Sequence, residues 1–199
     1  MTVGSPRSNR STEFGRPHTL RSGELDLFVS SFTTEATKIL VTSLILFRLD
    51  YCNPLLAGIP NKLVNKVQRV MYCAARLVCK SPKREHVTPL LVDLHWLSVE
   101  RRIEYNIATI CYNVITGTAP LYLFDLLELY TPSRTLRSSA DTCNFHILNR
   151  CKRFQRQRAF SFIGSSIWNN LPFSVRHSQT LSAFKSQLKT HLFSISYSC

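Results

Sequence analysis

The sequence predicts a mainly α fold, an antiparallel helical cluster with a small β hairpin in its last third. Three observations lead there. Apolar residues make up 44% of the 199 residues, enough for one packed core. Between residues 61 and 130 they recur at spacings of three and four, the period of a half-buried helix. After residue 143 two short aromatic runs with alternating polarity replace that period.

Taken in order, residues 1–31 are rich in Ser, Arg, Gly and Thr without a sustained period, and read as a disordered leader. Residues 35–49 read as a helix with a broad apolar surface, interrupted at Asn53-Pro54 because the residue before a proline avoids the helical region. The apolar run 39–47 contains Thr42 and Ser43 and is far shorter than the ~20 residues a bilayer span needs. Gly58-Ile59-Pro60 is a turn that places a proline at the first helical position. Residues 61–80 form the clearest element. Leu63, Val67, Val70, Met71, Ala74, Leu77 and Val78 fill one arc. Lys62, Lys66, Arg69, Arg76 and Lys80 fall on the opposite side, within about 80°.

Ser81-Pro82 ends that helix, and residues 86–97 read as a loop or a short turn of helix. Ser98 is a candidate N-cap for a helix marked by Val99, Ile103, Ile107, Ile110 and Val114, with Gly117 closing it. Pro120 opens a further short helix over 121–129. Short connections make these helices antiparallel neighbours and set a first region at 32–130. The second, 131–199, is a basic C-terminal region. Its expected hairpin pairs 145–148 with 159–163, around a run of Arg150, Lys152, Arg153, Arg156 and Arg158. Trp168 anchors a turn ending at Pro172. Leu181, Phe184, Leu188, Leu192 and Ile195 mark a terminal helix capped by Ser178 or Thr180, with Lys185 and Lys189 on its other face.

Charge narrows the partner. Lys and Arg number 25 against 12 Asp and Glu, a net +13. Residues 131–199 hold ten basic side chains and one acid, Asp141, so this third alone carries +9. Arg outnumbers Lys 17 to 8, and the guanidinium fork suits bidentate phosphate contact. This balance argues against a small-molecule substrate. It favours a polyanion, RNA, DNA or their hybrid, with no bilayer-length segment to favour a membrane. The five cations of 61–80 have no acid among them to offset their repulsion. Seven cysteines, odd in number and mostly within apolar stretches, together with no apolar secretory segment, fit an intracellular protein, nuclear or cytoplasmic.

Catalytic patterns are scarce. No paired aspartates, phosphate loop or nucleophile elbow is present. Glu100 and Glu104 share a helix face but adjoin Arg101 and Arg102. Cys143-x2-His146-x4-Cys151 resembles part of a zinc knuckle but lacks an evident fourth ligand. His95, beside Trp96 and near Asp93, reads as a packed residue more readily than a catalytic one. No catalytic residue, metal or cofactor is expected.

Several strings occur in one order: Arg48-Leu49-Asp50-Tyr51-Cys52-Asn53, Leu55-Leu56-Ala57-Gly58-Ile59-Pro60, Gln68-Arg69-Val70, Ala74-Ala75-Arg76-Leu77-Val78, Leu94-His95-Trp96-Leu97, Arg101-Arg102-Ile103 and Trp168-Asn169-Asn170-Leu171-Pro172. Together with Phe184-Lys185-Ser186-Gln187-Leu188-Lys189 they resemble the C-terminal region of the reverse transcriptase of LINE-type (non-LTR) retrotransposons, of the jockey-like kind. The resemblance covers about residues 40–193. It implies that 32–130 is a helical thumb-like region, which in such polymerases grips the primer–template duplex. It also implies that the polymerase and endonuclease centres belong to segments not represented here. Phe47 stands where the family has Ser before Arg48, and Gln157 where it often has Gly. The expectation is a non-catalytic fragment binding nucleic acid through Lys62, Lys66, Arg69, Arg76, Lys80, Arg150, Lys152, Arg153, Arg156 and Arg158. The alternatives are a helical protein-interaction module, with Phe154, Phe160, Phe162 and Trp168 as its contact surface, and a decayed, functionless gene product.

Overall fold

A first helix, α1 (Thr34–Val41), starts where Thr33 Oγ1 accepts the Ala36 N–H at 3.3 Å. It runs on through a π-helical turn, Thr42–Leu46, into α2 (Phe47–Tyr51). The i→i+5 bonding of that turn explains a register that ordinary helical spacing does not give: Val41 and Leu46, five apart, are both buried. The computed structural model describes residues 32–51, 53–131, 143–147 and 158–197. The expected leader, 1–31, lies outside them.

Asn53–Leu56 is a 3-10 turn, and Gly58, at φ +69°, lets the chain reverse before α3 (Asn61–Cys79). Then follow α4 (Val87–Asp93) and α5 (Val99–Ile115), which Gly117 closes at φ +71° as its position predicts. The helix expected over 121–129 shrinks to one turn, α6 (Leu121–Phe124). The last helices are α7 (Phe160–Asn169), α8 (Phe173–Arg176) and α9 (Leu181–Tyr197). Thr180 rather than Ser178 caps α9, accepting the Ala183 N–H at 3.2 Å.

The mainly α prediction holds, and the hairpin does not. Among the described residues there is no named strand, and 159–163 belongs to α7. Phe145 instead forms an isolated antiparallel bridge with Leu129, with Tyr130 N–H donating to Asn144 O and His146 N–H to Glu128 O. Phe160-Ser161-Phe162 mimics a strand because it alternates over three residues. The longer helical spacing of Phe160, Gly164 and Trp168 wins once α5 offers it a surface. A methyl group on Gly164 would come within 3.2 Å of Cys111 Sγ, so that glycine sets how closely α7 approaches α5.

α5 is the axis of the core. It packs against α2, the Asn53–Leu56 turn, α3, α6, α7 and α9. Val99, Ile103, Ile107, Ala108, Cys111, Tyr112 and Val114 are all buried on it. Burial pushes the Cys111 thiol up to about 12, so it packs as a small hydrophobe. Beside it Trp168 is fully buried, its ring 5.8 Å from Phe184, and Phe184 stacks on Tyr112 at 4.3 Å.

Candidate nucleic-acid interface

α3 carries the surface in question, and it is turned from the orientation its apolar residues suggest. Its buried residues are Gln68, Met71, Ala74, Ala75 and Val78, whereas Leu63 and Val70 are 46% and 47% exposed. Gln68 accounts for the difference. Its Oε1 accepts the Val99 N–H at 2.8 Å, a buried bond that ties α3 to the first residue of α5. Ser98 precedes that helix as expected but makes no side-chain cap, so Gln68 does the capping from another helix. A polar residue therefore occupies the arc that an apolar count leaves out. The buried arc still lies opposite the cations.

The five cations divide into two groups. Lys62, Lys66 and Arg69 are exposed, and no ion pair of the described residues involves them. Arg76 is half-buried, with Nη2 donating to Glu85 O at 3.3 Å and a buried Nε that finds no partner. Lys80 closes the helix in the left-handed region, at φ +51°, and its Nζ donates to Phe32 O at 3.3 Å. Carboxylates gather at this second end. Burial raises the Cys79 thiol above its usual range, and the negative charges of Asp93 and Glu85 raise it further. The first end has no acid in the helix's first turn. Lys62 sits in that turn, where the helix dipole is positive, so its charge works against the helix by about 0.3–1 kcal/mol at low salt. An anion there would reverse that sign.

Arg150, Lys152, Arg153 and Arg156 lie outside the described residues. Arg158 is exposed, with its stem against Gly58. It borders a cleft of about 440 Å³ between the Asn53–Leu56 turn and α7 that the sequence did not signal. Nor did it single out a row of exposed apolar residues, Leu40, Leu44, Phe47, Tyr51 and Leu55, although the broad apolar surface of 35–49 was its trace.

The other candidates dissolve. His95 is exposed rather than core. It stands at φ +53°, with Nδ1 2.9 Å from Val92 O and its ring edge-on to Phe193. Glu104 is engaged by Arg101 at 2.7 Å. Among the described residues no three His, Cys, Asp or Glu side chains gather to hold a metal; Cys151 falls outside them. Of the aromatic contact surface, Trp168 lies in the core, Phe160 and Phe162 are part-buried, and Phe154 is outside the described residues.

The ordered strings serve the fold. Asp50 receives Arg102 Nε at 2.9 Å and Arg102 Nη2 in a bidentate pair, and also the Asn53 amide at 2.9 Å. Trp168 Nε1 donates to Cys143 O at 2.6 Å, and the Asn169 amide clasps both backbone groups of Phe145 at 2.8 and 2.9 Å. Tyr197 O–H donates to Trp96 O at 2.8 Å. No family model, curated protein or solved structure matches the chain. No helix among the described residues is long and apolar enough to cross a membrane.

Proposed function

We propose that the chain is a non-catalytic segment of a non-LTR retrotransposon-type reverse transcriptase, and that it grips a nucleic-acid duplex by its backbone through α3. The observation carrying this reading is the trio Lys62, Lys66 and Arg69. They are exposed and aligned, no ion pair among the described residues involves them, and they sit at a helix end whose dipole already favours an anion. Phosphates of a duplex supply that anion in a row. Asp50 and Glu104 are each engaged by an arginine.

Filter binding of an RNA–DNA hybrid tests it. The triple variant Lys62→Glu, Lys66→Glu, Arg69→Glu is expected to bind about 100-fold more weakly at low salt. Its log–log salt slope should be shallower by roughly three, one per lost phosphate contact. Unchanged binding removes the trio from the account. Primer extension by the purified chain is expected to incorporate no nucleotide, and incorporation would overturn the non-catalytic reading. A protein-interaction module is the second reading, favoured by the exposed row Leu40, Leu44, Phe47, Tyr51 and Leu55. Nucleic-acid affinity that stays flat between low and high salt would favour it.

A further inference from the structure

We propose that the cleft beside Arg158 receives one unpaired nucleotide of the bound strand, its base inside and its phosphate on the guanidinium. This rests on nucleic acid being the partner. The cleft's volume, about 440 Å³, is within the range that takes a small molecule. Its floor is Ile107 of the central helix, and its walls are Leu55 and Ala57 on one side and Phe160 and Ile163 on the other. Leu55 is 77% exposed, so this apolar wall is left facing solvent.

Among the described residues Arg158 is the only charged one lining the cleft, and no carboxylate lines it. A cationic ligand has no partner there, whereas a group with a flat apolar body and one negative end matches both parts. A nucleotide is such a group. Its base has apolar faces suited to Phe160, and its phosphate suits the guanidinium fork. The position of Arg158 is built into the fold. A methyl group on Gly58 would come within 2.9 Å of Arg158 Cγ, so the side chain's stem lies against a turn that only glycine leaves open at φ +69°. The Phe160 ring is held from behind, 3.5 Å from where a methyl on Gly164 would stand. In sequence, Arg150, Lys152, Arg153 and Arg156 precede Arg158 with no acid between them. A base-paired nucleotide cannot enter, because its flat faces are stacked within the helix. Occupancy therefore requires a single-stranded end or gap.

The test compares a blunt RNA–DNA hybrid, the same hybrid with a three-nucleotide single-stranded extension, and one whose extension is abasic. Fluorescence anisotropy is expected to show the extension tightening binding about 10-fold and the abasic extension losing most of that gain. Phe160→Leu, chosen to keep the packing, and Arg158→Ala should each remove most of the gain, with melting midpoints recorded alongside. Gly58→Ala should lower it by displacing the Arg158 stem. Equal affinity for blunt and extended hybrids, or a gain that survives both Phe160→Leu and Arg158→Ala, would overturn the proposal. So would loss of the gain to added fatty acid but not to mononucleotide. Failure of the α3 reading appears separately, as blunt-hybrid binding indifferent to the α3 charge reversals.

Discussion

Two sets of cations, on neighbouring helices, have opposite fates. On α5, Arg101 and Arg102 are committed to the fold, the first to Glu104 and the second to Asp50 and through it to Asn53. On α3, Lys62, Lys66 and Arg69 project from the far side of a helix whose other face is buried, and among the described residues no ion pair involves them. Net charge counts both sets alike. What separates them is the side of the helix each occupies and whether a carboxylate reaches it. The difference teaches that charge in this chain has two uses, joining helices and waiting for an external anion, and that each use answers differently to substitution.

The widest separation comes from Asp50→Ala. The Arg102 side chain is only 17% exposed, and the substitution would leave its guanidinium without a partner and the Asn53 amide without an acceptor. A stability loss of about 2 kcal/mol is expected, below the value for a fully buried pair because Asp50 is itself 35% exposed. Urea denaturation measures it. Hybrid binding, corrected for the folded fraction, should not move, since Asp50 is engaged by Arg102 and is not one of the cations offered to the duplex. A loss of binding at full folding would merge the two sets and break the contrast.

A second member of the structural set responds to pH. Tyr197 donates to Trp96 O at 2.8 Å, and burial, with the Tyr72 phenol adding to it, pushes its hydroxyl up to about 12 from an ordinary 10. The folded chain therefore holds this proton more tightly than the unfolded chain. The stabilisation is complete below pH 10 and is lost as pH rises toward 12. Tyr197→Phe should cost about 1 kcal/mol at neutral pH, the worth of a typical hydrogen bond. It should also flatten the decline of the urea midpoint between pH 10 and 12. An identical alkaline decline in the variant would show that the Tyr197 proton carries none of it.

Much of this was legible in the residues. The helices over 61–79 and 99–115, the reversal at Gly58, the close at Gly117 and the outward face of the α3 cations follow from spacing and from glycine's freedom at positive φ. Two kinds of feature were not legible. One was local ambiguity: 159–163 alternates like a strand, and only contact with Cys111 across Gly164 decides for a helix. The other was polar groups acting at long range. Gln68 turns α3 by bonding to a backbone group 31 residues away, and Asp50 finds Arg102 52 residues away. Spacing within one helix contains no information about such partners. The Arg158 cleft was hidden for the same reason, because its walls come from three separate stretches of chain.

The smallest effect is the most telling, because it has the opposite sign from the others. Lys62 lies in the first turn of α3, facing the positive end of the helix dipole, and that turn holds no acid. For a residue chosen only to support the fold, this is the wrong charge. Lys62→Glu places an anion at that end and should stabilise the chain by about 0.3–1 kcal/mol, read as a higher urea midpoint at low salt that fades as salt rises. The same substitution should weaken hybrid binding by about 10-fold, since a phosphate contact becomes a repulsion. Stability and binding then move in opposite directions at one site, which distinguishes a surface kept for an external anion from a solvated helix face. A solvated face would gain the stability and lose no affinity. A fold-supporting cation would lose stability and, once corrected for the folded fraction, keep its affinity, as the paired arginines of α5 should.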